Sequence, residues 1–101
     1  MIEVKIPFMD EFKEVMLMGT KRQTARNKRY CQAGDVFHIF GAMFTVTRVY
    51  KCQLETVALS YEAEGCSSEE DFIGVWVRLH KRLGWTPDKE VWVHEFERVL
   101  A

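Results

Sequence analysis

Two runs of β-forming residues, 36–40 and 43–50, are separated only by Gly41-Ala42. A connection that short joins antiparallel neighbours, because parallel strands need a crossover of a dozen residues or more. The middle of the chain is thereby committed to a hairpin, and the other elements must pack around it. In the second run Phe44, Val46 and Tyr50 share one face, and Thr45, Thr47 and Val49 share the other. Neither face is cleanly polar, which suits the wall of a small barrel partly covered by helices. A third alternating run, 91–99, reads as a closing strand.

Helical spacing brackets the hairpin. Phe8, Phe12, Val15 and Met16 fall on one face of a helix expected over 8–18, with Pro7 at its start and Gly19 as its stop. Leu54, Val57, Ala58 and Tyr61 predict a short helix over 54–62 that ends before Glu64-Gly65. Ser68 and Asp71 carry a capping signal for a longer helix whose buried stripe is Phe72, Val75, Trp76, Leu79 and Leu83. Its basic end, Arg78, His80, Lys81 and Arg82, complements the helix dipole before Gly84. The order helix, strands, helices, strand defines an α+β fold, a small curved β-barrel flanked by helices. With 101 residues the chain supports one compact domain, 1–101, and no second core.

Fourteen Lys and Arg stand against fifteen Asp and Glu, for a formal charge of −1. That balance excludes a protein that binds polyanions through bulk charge. No stretch approaches the roughly 18 apolar residues of a membrane span. The start, with Glu3, Lys5, Asp10 and Glu11, lacks the apolar middle of a signal peptide, so a cytoplasmic location is expected. Cys31, Cys52 and Cys66 have no Cys-x-x-Cys spacing, and His38, His80 and His94 have no i, i+4 pair. Reduced thiols and no metal or cofactor are therefore expected. Trp76 belongs to the helix stripe and His94 reads as a packed strand residue. Trp85 and Trp92 flank the turn at Thr86-Pro87-Asp88, where they either cover the barrel end or offer a stacking surface.

The neutral sum conceals two opposed segments. Residues 21–29 hold Lys21, Arg22, Arg26, Lys28 and Arg29 without an acid, and 62–71 hold Glu62, Glu64, Glu69, Glu70 and Asp71 without a base. A solvated face accounts for charge runs in general, and helix-start electrostatics accounts for most of the acids. Thr24 and Arg26, two apart, share a face if that piece is extended. Lys21 joins them only if the chain turns at Gly19-Thr20. A Lys, a Thr hydroxyl and an Arg around one cleft suit an anionic or carbonyl-bearing ligand. Basic residues beside Tyr30 and Phe37 suit single-stranded RNA. Glu64, before a glycine between two helices, is the acid least explained by a helix start.

These residues converge on a family. Gly19-Thr20-Lys21-Arg22-Gln23-Thr24-Ala25-Arg26 resembles the Gly-x-Lys-x-x-Thr-x-Arg signature of ASCH domains, members of the PUA-like superfamily. Gly34-Asp35 before a β-run, Glu64-Gly65 before Ser68-Glu69-Glu70-Asp71-Phe72, and the final 93–96 strand follow that pattern in order. The resemblance implies a PUA-like barrel whose cleft, beside the first helix, is lined by the Lys, Thr, Arg and later Glu. It implies binding of RNA or of a modified nucleoside, with Arg26 as a ligand-binding group, to which the basic run adds Arg22, Lys28 and Arg29 as candidates. A bacterial branch of ASCH domains deacetylates N4-acetylcytidine as an amidohydrolase. By motif its catalytic Lys, Thr and Glu fall on Lys21, Thr24 and Glu64. Three readings follow: a binding module for RNA or a nucleoside, an amidohydrolase, and a non-catalytic interaction module.

Overall fold

The structure, a computed structural model, describes residues 2–100. Four strands, β1 (Gln23–Arg26), β2 (Val36–Ile39), β3 (Ala42–Gln53) and β4 (Glu90–Arg98), form one antiparallel sheet in the order β1-β4-β3-β2. The sheet curls into half a barrel, as the sequence leads one to expect of an α+β chain. The hairpin lies where Gly41 places it, with Phe37 opposite Phe44 and Ile39 opposite Ala42. Its strand boundaries shift: Phe40 leaves the strand at φ 55°, and β3 extends as far as Gln53 to pair with β4 along its length. A bulge between Val46 and Arg48 adds the local twist that a curled sheet requires.

Three helices cover this sheet: α1 (Lys13–Leu17), α2 (Leu54–Leu59) and α3 (Glu69–Leu79). Each is shorter than its periodicity suggests. Only a single 3₁₀ turn, Asp10–Phe12, precedes α1, and the chain before it is extended, with Met9 at ψ 149°. Tertiary packing overrides the helical pattern there. The Phe8 ring inserts beside Phe37 at 5.7 Å and Phe96 at 5.9 Å. Residues 60–65 form turns that extend α2 no further. Helix α3 starts as expected, with the Ser68 hydroxyl accepting from the Asp71 N–H at 3.0 Å. It stops at Leu79, short of Leu83 and Gly84. The His80 ring folds back over Trp76 with 3.9 Å between centroids.

Two apolar clusters result. Leu54, Val57, Phe72, Trp76, Val91 and Val93 pack where α2 and α3 meet the sheet. Met16, Phe37, Phe44, Val46 and Phe96 fill the curl, with Phe37 stacked on Phe44 at 5.2 Å. Strand β1 lies at the sheet edge. No helix among the described residues is long and apolar enough to cross a membrane.

Candidate functional site

An edge strand presents unpaired backbone groups, and β1 has these covered by the turn that follows α2. The N–H groups of Arg22 and Gln23 both donate to the Ala63 carbonyl, at 2.8 and 3.1 Å. This clamp brings the acidic turn of residues 60–65 against the basic segment, 41 residues away in sequence at Gln23–Glu64.

Lys21 reaches the cleft because it is not part of the strand. Gly19, at φ +85°, ends α1, the Lys21 N–H donates back to Val15 at 2.9 Å, and β1 begins two residues later. The alternation that separates Lys21 from Thr24 on a strand therefore does not apply. Lys21 is 3% exposed and Glu64 4%. Lys21 Nζ donates to the carbonyls of Glu64 at 2.6 Å and Gln23 at 3.1 Å, and stands 3.8 Å from Glu64 Oε1. It also lies 4.5 Å above the Phe12 ring.

The Glu64 carboxylate accepts from Gln23 Nε2 at 2.9 Å and from the Ala25 backbone. Burial pushes its pKa above the usual carboxylate range, against the opposing pull of Lys21, Gln23, Ala25 and Arg26. Burial pushes Lys21 below the usual lysine range, opposed by Glu64 and Cys66 and assisted by Arg26. Both members of the couple are thus driven towards their neutral forms. Gly65 allows their close approach. At φ +86° it leaves little room for a side chain, since a Cβ there would sit 3.0 Å from Lys21 Cβ.

Thr24 is buried, and its Oγ accepts from Arg26 Nε at 2.9 Å. The Arg26 guanidinium also donates to the Pro7 carbonyl at 2.5 Å and lies over the rings of Phe8 (4.9 Å) and Tyr30 (5.5 Å). Behind Thr24, His94 is fully buried and its pKa is lowered by that burial. His94 Nε2 accepts from the Tyr30 N–H at 3.0 Å, so a neutral ring carries its proton on Nδ1, 3.3 Å from the Thr24 carbonyl.

Lys21, Thr24, Arg26, Lys28 and Glu64 all line one cavity of about 560 Å³, walled by Phe8, Phe12 and the Trp76 side of α3. Arg22 and Arg29 do not. Arg22 donates to the Thr20 carbonyl and faces a second cavity, of about 760 Å³, on the other side of Lys21. Arg29 donates to the Cys31 carbonyl and lies 5.4 Å over Trp92, whose ring Lys51 approaches at 5.1 Å. Trp85 packs half-buried against the α3 cluster, edge-on to Phe72. Cys66 also lines the cavity, but burial pushes its thiol up to about 11, leaving it protonated and a poor nucleophile. Among the described residues no three His, Cys, Asp or Glu side chains are placed to share a metal ion.

Sequence reasoning missed Gln23, the Ala25 N–H and the Pro7 carbonyl. The two backbone contacts leave no trace in residue type, and Gln23 reads as a spacer inside the motif. The one available signal was Phe8 and Phe12, whose apolar face turns out to flank Lys21.

The fold recurs in solved structures. An ASCH domain from Lactobacillus crispatus matches with a TM-score of 0.65 over 96% of this chain and 79% of its own, at 16% identity. This is the ASCH-domain fold. A hypothetical protein, PH0355, shares it with a TM-score of 0.71 over 91% of this chain and 94% of its own, at 16% identity. A Pyrococcus furiosus protein solved by NMR shares it with a TM-score of 0.65 over 99% of this chain and all of its own, at 21% identity. No family model and no curated protein matches by sequence. The ASCH likeness thus rests on three-dimensional shape, together with the signature at residues 19–26.

Proposed function

We propose that this ASCH-fold protein binds a nucleoside-type ligand in the 560 Å³ cavity and hydrolyses an amide on it, with N4-acetylcytidine as the test substrate. One observation carries the reading. A lysine and a glutamate, buried side by side at 3.8 Å and both pushed towards neutrality, share a cavity with a threonine hydroxyl. A lysine lowered and a glutamate raised by burial are shifted in the directions that acid–base catalysis at physiological pH requires.

The chemistry follows from those states. Neutral Lys21 takes the Thr24 proton as Thr24 Oγ attacks the acetyl carbonyl carbon. Arg26 Nε, already donating to that oxygen, favours the alkoxide as it forms. The C–N bond breaks, and the leaving nitrogen takes the proton held by Glu64. Water then hydrolyses the acetyl-threonine ester, one of its protons returning to Thr24 Oγ as acetic acid leaves, and the proton on Lys21 passes to Glu64 to restore both groups. Incubation with N4-acetylcytidine should yield cytidine and acetate with the wild type and neither with Thr24→Ala or Lys21→Ala. Turnover retained by folded Thr24→Ala refutes the nucleophile.

A second reading, binding of single-stranded RNA without turnover, draws on the Trp92 surface and the rim of the same cavity. Arg29 and Lys51 flank Trp92, and Lys28 lies 4.8 Å over Tyr30 at the cavity wall. Stacking rings between cations are a common platform for bases and phosphates. Three phosphate contacts would give a log–log salt slope of about −2. A slope of about zero with a single-stranded oligonucleotide refutes this reading.

A further inference from the structure

We propose that Gln23 is the positioning residue of this site: its side-chain amide sets which Glu64 oxygen faces Lys21, and its own carbonyl holds the Lys21 amine. Gln23 is itself 7% exposed and lines the 760 Å³ cavity rather than the 560 Å³ one, so towards a ligand in the latter it acts through the couple.

Three bonds define the role. Nε2 donates to Glu64 Oε2 at 2.9 Å, which leaves Oε1 as the oxygen 3.8 Å from Lys21 Nζ. The Gln23 carbonyl accepts from Lys21 Nζ at 3.1 Å. The Gln23 N–H donates to Ala63, anchoring the turn that carries Glu64. One residue therefore bonds to both partners and to the loop between them. A neutral amide is chemically suited to the position. It donates to the carboxylate without adding a charge, whereas a second carboxylate would force the two acids to share a proton.

The ionisable groups around Glu64 are Lys21 from the turn after α1, Arg26 from β1, Cys66 beyond Gly65 and Cys52 at the end of β3. None replaces the Gln23 donor, because among the described residues Gln23 Nε2 is the one side-chain group that hydrogen-bonds this carboxylate. Removing the amide therefore raises the Glu64 pKa further and frees the carboxyl to rotate.

The inference rests on the hydrolytic reading for its kinetic consequence but not for its structural one, and two measurements keep them apart. The first is the titration of the Glu64 carboxyl ¹³C resonance in wild type, Gln23→Leu and Gln23→Glu, each checked for folding by circular dichroism. In Gln23→Leu the midpoint should rise by at least about one pH unit. An unchanged midpoint in a folded variant overturns the proposal, whatever the enzyme does. The second is turnover of N4-acetylcytidine. Gln23→Leu should lower kcat about 10- to 100-fold with KM nearly unchanged, the pattern of misplaced reacting groups. Gln23→Glu should lower turnover across the pH range, because a second buried carboxyl competes with Glu64 for its proton. A variant profile that matches the wild type throughout overturns the positioning role. Absence of turnover in the wild type itself refutes the hydrolytic reading, and the ¹³C titration then decides on Gln23 alone.

Discussion

Replacing Gly65 by alanine tests how closely the Glu64 turn must approach Lys21. The new Cβ would lie 3.0 Å from Lys21 Cβ, 3.1 Å from Val15 Cγ2 and 3.2 Å from Lys21 Cδ, on a backbone at φ +86°. The left-handed conformation costs a side chain roughly 1–2 kcal/mol, and overpacking adds typically 1–3, for a total of about 2–5 kcal/mol. Gly34→Ala is the control, because its φ of +96° brings the same backbone strain while its Cβ meets nothing within 4 Å. It should lose only the first part, about 1–2 kcal/mol. For a domain of this size each kcal/mol moves Tm by about 4–8 °C, so Gly65→Ala should melt at least about 8 °C below the wild type. Urea unfolding of both variants measures the difference. Losses equal to within about 0.5 kcal/mol would show that the Lys21 and Val15 contacts yield freely and would refute the close-packed account of the couple. Turnover should also fall in Gly65→Ala and not in Gly34→Ala.

Three further outcomes are expected. Lys21→Met/Glu64→Gln should be at least as stable as the wild type at pH 7, by up to about 4 kcal/mol, because both groups are buried at a cost to their charged forms. A large loss of stability in that double variant would mark the couple as a structural ion pair. His94 has a folded-state pKa below that of the unfolded chain, so it contributes stability that is present above about pH 6.5 and lost as the pH falls through its folded-state value. Chemical denaturation from pH 7.5 to 5 should show the gap between wild type and His94→Gln closing over that window, and a constant gap would refute it. Ser68→Ala should cost about 1 kcal/mol through loss of the hydrogen bond from the Asp71 N–H, read as a lower urea midpoint.

Much of this site is written locally. The Gly41 turn commits residues 36–45 to a hairpin, Ser68 starts α3, and Gly19 ends α1, because turns, caps and stops depend on a few adjacent residues. The Lys21, Thr24 and Arg26 spacing and the isolated position of Glu64 were equally visible. Charge pattern did not distinguish among the cations of 21–29, since Arg22 and Arg29 share the residue type of Arg26 but do not line the 560 Å³ cavity.

By itself, then, the sequence determined every element except β1, an α+β architecture, and the candidate chemical groups. Tertiary structure alone decided that Phe8 leaves the first helix for the aromatic cluster, that β1 starts after Lys21, and that Gln23 bonds to Glu64. The physical reason is range. Periodicity and capping report on neighbours within about one or two turns of chain. The pairing of Lys21 with Glu64 is instead set 43 residues apart, where burial against a curled sheet determines both their geometry and their charge.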